Sequence, residues 1–98
     1  MSRFDLHPVF DGTYLLDVQS DLIDIPSTRM MVPMISVVDA PQGSGRLFPR
    51  IEIEGKQYVM ASHLMGAVPK SALAPPVGNA LDQAEAITLA LDMLFFGF

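Results

Sequence analysis

The chain has 98 residues, no cysteine and a net charge of −5, and half of its residues are hydrophobic. The lack of cysteine excludes a disulfide framework, a thiolate nucleophile and a cysteine-ligated zinc site. The six cations are scattered along the sequence, so direct binding to nucleic acid has little electrostatic basis. The length predicts one domain with a thin core, and the apolar content predicts surface that a partner covers, most simply a second copy in a homodimer.

The sequence gives no sign of a membrane segment. No apolar run approaches the roughly 18–20 residues that cross a bilayer, and Arg3, Asp5 and His7 interrupt the start of the chain where a secretion signal needs an apolar core. We therefore expect a cytoplasmic protein without a membrane partner.

Short strands are predicted over about residues 4–71, where proline and glycine separate stretches that are rich in β-branched and aliphatic residues. The segment Ala40–Gly45 is a loop by composition. The predicted strands are Phe4–His7, Tyr14–Gln19, Met30–Val38, Leu47–Glu54 and Lys56–Met60, with a further extended piece around Val68–Ser71.

Two of these strands have distinct patterns. Ile51 and Ile53 alternate with charged residues before Gly55, which predicts a hairpin with one buried and one exposed face. The strand Met30–Val38 is instead apolar on both faces, which predicts a central strand covered on both sides. Its Pro33 has no N–H group, so it must lie at a bulge or where the strand lacks a ladder partner.

A helix is predicted over about residues 80–96, because apolar residues there recur at spacings of three and four. Asn79 is the predicted N-cap, and Asp82 and Glu85 favour the positive end of the helix dipole. Gly97 is free to take the left-handed conformation that ends many helices. The predicted buried face consists of Leu81, Ala84, Ile87, Thr88, Leu91, Leu94 and Phe95.

Several motifs occur in a collinear order. The run DVQSD at Asp17–Asp21 continues to Asp24 and is followed by Arg29–Met34, which reads arginine, three apolar residues, proline and methionine. Farther on come Leu47-Phe48-Pro49, Tyr58, Met65 and Val68-Pro69, and the helix ends in aromatic, glycine, apolar at Phe96-Gly97-Phe98. From about Tyr14 onward these segments together resemble the CcdB family.

The resemblance implies one domain over residues 1–98, mainly β with a C-terminal α-helix, in a CcdB/MazF-type, SH3-like small antiparallel barrel that forms a homodimer. It also implies the toxin of a type II toxin–antitoxin module with a role in plasmid maintenance. Such a toxin binds the A subunit of DNA gyrase and traps the DNA-cleaved complex, and a CcdA-like antitoxin neutralises it. It is not an enzyme and needs no cofactor or metal.

The resemblance also implies site residues. Phe96 stands where the family's best-known member has tryptophan, Asp92 where it has asparagine, and Phe98 where it has isoleucine. Phenylalanine is a weaker cation–π platform than tryptophan, by about 1 kcal/mol. The implied antitoxin-binding residues are Asp17, Gln19, Asp21 and Arg29. The implied gyrase-binding residues are Leu22, Ile23, Asp92, Phe95, Phe96, Gly97 and Phe98.

Plainer interpretations stand beside these roles. The terminal aromatic residues are also explained as core or dimer packing, and the methionines as core filler. Asp17, Asp21 and Asp24 lie close in sequence but lack the spacing of a calcium loop, which favours solvated or partner-facing carboxylates. His7 and His63 are expected at surface or hydrogen-bonded positions.

Two other functions remain open from the residues alone. One is a MazF-like endoribonuclease, in which Arg29 acts with Asp24, Thr28 or His63 on an RNA 2′-hydroxyl. The acidic net charge disfavours RNA as a substrate. The other is a member of the same fold that has lost toxicity.

Overall fold

The computed structural model describes residues 2–39 and 45–97, and within them it contains seven strands and one α-helix. The predicted loop Ala40–Gly45 therefore lies outside the described residues except for Gly45. The strands are β1 (Asp5–Pro8), β2 (Tyr14–Asp17), β3 (Thr28–Ser36), β4 (Arg50–Ile53), β5 (Lys56–Met60), β6 (Gly66–Pro69) and β7 (Gly78–Asn79), and the helix is α1 (Ala84–Phe96).

The strands form one antiparallel sheet in the order β4-β5-β3-β2-β1-β7, and β6 pairs with β3 beside β5. The sheet curls into a half-barrel that carries α1, which confirms the predicted mainly β fold with a C-terminal helix, while the homodimer stays a prediction. Pro33 lies between the last β6 pair, Met31 with Gly66, and the first β5 pair, Met34 with Met60. The residue without an N–H group therefore lies where the ladder on that side changes partner, as predicted.

The β4–β5 hairpin follows its sequence pattern. Ile51 and Ile53 are buried while Arg50 and Glu52 are exposed. Glu54 and Gly55 have φ angles of 52° and 79°, and Ile53 pairs with Lys56 across this two-residue turn. Positive φ at both central positions matches the twist of the flanking strands.

Several strand limits differ from the predictions. Strand β3 begins two residues earlier and ends at Ser36, because Val37–Asp39 form a 3-10 turn, and β6 ends at Pro69 and not at Ser71. Phe4 has a φ of 72°, so β1 begins one residue later, at Asp5. Strand β2 ends at Asp17 because the following loop begins earlier than the apolar pattern indicates, and β4 begins at Arg50 because the preceding loop ends later. Strand β7 was not predicted, since the two residues Gly78–Asn79 carry no alternation.

The predicted central strand is only partly enclosed. Met31, Val32 and Met34 are buried, but Met30 is 36% exposed and Pro33 is half-buried. The prediction that β3 is covered on both faces is therefore wrong at Met30. One face of β3 is open near its N-terminal end.

The helix packs on the concave side of the sheet through a shorter apolar stripe than predicted. Ile87 and Ala90 are buried with Leu16, Val32 and Ile51 in one core, and Ala84 and Leu91 pack against them. The predicted burial of Leu81, Thr88 and Phe95 is wrong, because all three are exposed.

The helix also begins later than predicted. Asn79 accepts a hydrogen bond at its Oδ1 from the Leu81 N–H at 2.8 Å, which starts a 3-10 turn over Leu81–Gln83. The α-helix follows at Ala84. The N-cap position of this turn is Ala80 and that of the α-helix is Gln83, so the prediction that Asn79 is the N-cap of the helix is wrong. None of the helices within residues 2–39 and 45–97 has the length and apolarity to cross a bilayer.

One glutamine bridges the helix and the edge of the sheet. The Glu52 N–H donates to Gln83 Oε1 at 3.0 Å, and Gln83 Nε2 donates to the Glu52 carbonyl at 3.0 Å. The side-chain amide thus makes the paired bonds that a neighbouring strand makes. Strands β4 and β7 are the two ends of the strand order. Gln83 follows β7 closely in sequence and bonds to β4, so it links the two ends of the sheet.

Candidate partner-binding surface

The loop over residues 18–27, called the Leu22 loop here, connects β2 to β3 and presents apolar side chains to solvent. Leu22 is 93% exposed and Ile23 is 54% exposed. The Ile23 N–H donates to the Ser20 carbonyl at 3.0 Å, and the Leu22 N–H donates to Ser20 Oγ at 3.2 Å. These bonds form a turn that carries both apolar side chains outward, where they contribute little to the fold.

A buried ion pair lies beneath this loop. Arg29 Nε donates to Asp17 Oδ2 at 2.7 Å and its NH2 group donates to Asp17 Oδ1 at 2.8 Å, and neither side chain is exposed by more than a few per cent. The hydrogen bonds to Asp17 raise the pKa of Arg29 above its ordinary value, although burial acts in the opposite direction. Bidentate geometry of this kind fixes both side chains.

The same pair holds the start of the loop. Asp17 Oδ1 accepts from the Gln19 N–H at 3.0 Å, and the Arg29 NH2 group donates to the Gln19 carbonyl at 3.2 Å. The backbone at Gln19 is therefore bonded on both its polar groups to buried charges. This arrangement sets the direction in which the chain leaves β2.

The side-chain amide of Gln19 makes two further bonds. Its Nε2 donates to the Ile23 carbonyl, and its Oε1 accepts from the Met30 N–H at 3.1 Å. One side chain thus spans the loop from its start, through its exposed turn, to the first residues of β3.

Two carboxylates tie the outer part of the loop to neighbouring segments. Asp21 Oδ1 accepts from the Arg3 N–H at 2.8 Å and lies 3.8 Å from the Arg29 NH2 group. Asp24 Oδ1 lies 3.1 Å from Lys70 Nζ. The Asp21 side chain remains 60% exposed, so it is available to a partner.

The last turn of α1 also exposes apolar side chains. Phe95 is 63% and Phe96 is 68% exposed, while Asp92 is half-buried. Gly97 has a φ of 80° and donates its N–H to the Met93 carbonyl at 3.0 Å, which confirms the predicted left-handed C-cap. Phe98 lies outside the described residues.

A groove lies beside the last turn of α1. Met30, on the exposed part of β3, lines it together with Met65, Leu94 and Phe95. Since the Met30 N–H is bonded to Gln19, the strand that lines the groove is also the strand that holds the Leu22 loop. The structure therefore connects the two segments predicted to bind gyrase through one strand.

The predicted antitoxin-binding residues divide by burial. Asp21 is exposed and Gln19 is half-buried, but Asp17 and Arg29 are 0% and 2% exposed. Sequence reasoning missed their burial, although the pattern holds a clue: opposite charges stand where two neighbouring strands meet one loop.

The two histidines differ in their surroundings, and of the two only His63 lines the groove. His7 is buried and its Nδ1 lies 2.7 Å from the Ala74 carbonyl, as expected for a hydrogen-bonded core histidine, while its Nε2 has no partner. His63 is exposed and packs edge-on against Phe48 at a ring distance of 5.1 Å. Within the described part of the chain, no three histidine or acidic side chains are grouped to hold a metal ion.

Comparison with known families agrees with these observations. A family model described as CcdB protein matches residues 3–97 of the chain. The match includes the Leu22 loop and the last turn of α1, and it extends the similarity to the residues before Tyr14.

Proposed function

Because this chain belongs to the CcdB family, we propose that it binds the A subunit of DNA gyrase and traps the complex in which the DNA is cut. The family consists of gyrase-poisoning toxins of toxin–antitoxin modules, which are not enzymes themselves. We also propose that a CcdA-like antitoxin neutralises the protein, and that the protein acts in the cytoplasm, where gyrase works.

One observation carries the proposal. Leu22 and Phe96 are strongly exposed apolar side chains on the two segments to which the family resemblance assigns gyrase contact. Large apolar side chains that are exposed to water in the free protein contribute most to the free energy of binding when a partner covers them. Aromatic residues are frequent at the centres of interfaces. A phenylalanine ring also stacks on an arginine guanidinium of the partner.

The antitoxin is proposed to bind along residues 17–24 as a disordered segment that folds on contact. Among the residues assigned to antitoxin binding, Asp21 is the exposed one. In this proposal it contacts a basic side chain of the antitoxin directly. Asp17 and Arg29 are buried, so they support this surface from beneath. An Arg29 variant consequently tests stability more than affinity.

The groove lined by Met30, Met65, Leu94 and Phe95 is proposed as part of a homodimer interface. A 98-residue chain with a thin core gains stability when such a face is covered. Sedimentation at tens of micromolar tests this, since a monomer alone at that concentration contradicts it.

The central experiment incubates the purified protein with gyrase, supercoiled DNA and ATP, followed by denaturation of the enzyme. We expect linear DNA covalently attached to the A subunit, and no product when gyrase is omitted. Resistance mutations selected in growing cells are expected in the gene for the A subunit. Intact supercoiled DNA at saturating protein contradicts the proposal.

The endoribonuclease alternative is tested on the same preparation. RNA fragments formed without gyrase favour it. The structure gives it little support, because the guanidinium of Arg29 is buried against Asp17 and His63 packs on Phe48.

A further inference from the structure

We infer that Gln19 is a positioning residue for gyrase binding: its side-chain amide fixes the turn that carries Leu22 and Ile23 to the strand that lines the groove beside α1. The inference rests on the proposed function, because it assumes that this turn contacts the partner. This role differs from the direct antitoxin contact that the resemblance implied for Gln19, because both ends of the amide are already bonded within the chain.

The position of Gln19 follows from where the β2–β3 ladder ends. The last paired residues are Asp17 and Met31, and the Val18 N–H still donates to the Met30 carbonyl at 3.0 Å. Beyond that point the backbone leaves β3, and the Met30 N–H receives a side-chain acceptor, Gln19 Oε1, in place of a backbone one. The glutamine thus continues the ladder by one bond.

The other end of the amide reaches the turn itself. Gln19 Nε2 donates to the carbonyl of Ile23, the residue beside the most exposed apolar side chain of the loop, Leu22. The local bonds to Ser20 shape the turn, but they do not connect it to the sheet. Gln19 makes the connection to β3, whereas the Asp21 bond to the Arg3 N–H and the Asp24–Lys70 pair tie the loop to segments outside the strands.

The core does not depend on this amide. Asp17 and Arg29 pair beneath the loop, and they hold the backbone of Gln19 without involving its side chain. Gln19 itself is half-buried, outside the set of residues that pack in the core. Removal of the amide is therefore expected to free the turn while the sheet stays folded, and a partner must then order the turn when it binds.

The test compares Gln19→Ala and Gln19→Glu with Gln57→Ala, a matched control on the exposed side of β5. Three quantities are measured on the full chain: affinity for a gyrase A fragment by calorimetry, melting temperature, and exchange of the Met30 amide hydrogen. We expect Gln19→Ala to weaken binding about tenfold or more, to change the melting temperature by a few degrees at most, and to speed exchange at Met30. Gln57→Ala is expected to match the wild type throughout.

Gln19→Glu separates the two ends of the amide. A carboxylate still accepts from the Met30 N–H, but it offers no donor to the Ile23 carbonyl. We expect slow exchange at Met30, as in the wild type, together with the weak binding of Gln19→Ala. Binding of both Gln19 variants at wild-type affinity overturns the inference, and so does a loss of affinity that a large fall in melting temperature accompanies.

A direct-contact variant distinguishes this inference from the function it rests on. Leu22→Ala removes an exposed side chain without touching the amide, and it is expected to weaken binding while Met30 exchange is unchanged. If the wild-type chain does not bind the gyrase fragment, the proposed function fails. If the wild type binds and Leu22→Ala weakens binding while Gln19→Ala does not, only the positioning role is overturned.

Discussion

The two layers of the partner-binding surface reverse the usual distribution of polarity. Beneath it, Asp17 and Arg29 are charged and almost fully buried, whereas above it Leu22 and Phe96 are apolar and mostly exposed. A buried charge is tolerated only when it is paired and hydrogen-bonded, and this pair meets both conditions. An exposed apolar side chain adds little to the fold. The lower layer therefore serves folding and the upper layer serves binding, and variants of each are expected to affect one property and spare the other.

The largest effect is expected from Arg29→Ala. It leaves the buried Asp17 carboxylate without its partner, and breaking a buried pair on one side costs about 3–5 kcal/mol. The free energy of unfolding from urea titration measures this loss. Arg50→Ala, on the exposed face of β4, is the control and is expected to stay within about 0.5 kcal/mol of the wild type. A loss of less than about 1 kcal/mol for Arg29→Ala would show that the pair is not the foundation of the loop.

Deletion of Phe96, Gly97 and Phe98 is expected to have the next largest effect. Here the loss is in gyrase affinity and not in stability. The deletion removes an exposed ring and one capping bond, so the melting temperature falls by less than about 8 °C, which corresponds to about 1 kcal/mol. Gyrase affinity falls at least about a hundredfold, or about 2.7 kcal/mol.

Calorimetry and a thermal melt on the same preparation check the deletion. If the truncated chain still traps gyrase, or if it unfolds, the terminal aromatic residues serve packing and not gyrase binding.

Phe96→Trp is expected to act in the opposite sense to the deletion, by raising gyrase affinity without changing stability. The larger ring gives a better surface for a guanidinium and adds an N–H donor, while the exposed position leaves the core unaffected. Affinity for a gyrase A fragment is expected to rise up to about tenfold, or about 1.4 kcal/mol. Weaker binding with an unchanged melting temperature is the contrary result.

Lys70→Ala is expected to have the smallest effect. Its partner Asp24 is exposed on the same loop that the buried pair supports, and exposed pairs contribute about 0–1 kcal/mol. A urea titration beside Arg29→Ala compares two ion pairs around one loop. A loss comparable to that of Arg29→Ala would remove the distinction between the layers.

The sequence predicted those features that local pattern determines. Alternation at Ile51 and Ile53 gave the β4–β5 hairpin, the spacing of Ile87 and Leu91 gave the helix, and Gly97 gave its end. The match to residues 3–97 confirms the family that the DVQSD run and the terminal motif indicated.

Features that depend on distant neighbours were not predictable in this way. The resemblance assigned Asp17 and Arg29 to antitoxin binding, but charges are rarely buried, and the pairing that buries these two depends on how β2 and β3 align. Leu81 was assigned to the buried face of the helix, but it lies in a 3-10 turn before the helix and is exposed. The exposure of Leu22 and Phe96 agrees with their assigned roles, and contact with gyrase stays a prediction.

The bridge made by Gln83 also covers part of an edge of the sheet. An edge strand such as β4 offers backbone groups to which another chain can add, which is the first step toward fibres. At Glu52 both groups are already bonded to Gln83, and the exposed side chains of Arg50 and Glu52 place charge along the same strand. The contact that attaches α1 to the sheet thus also occupies the groups to which another chain would pair at that point, so protection of this edge and attachment of the helix depend on the same amide.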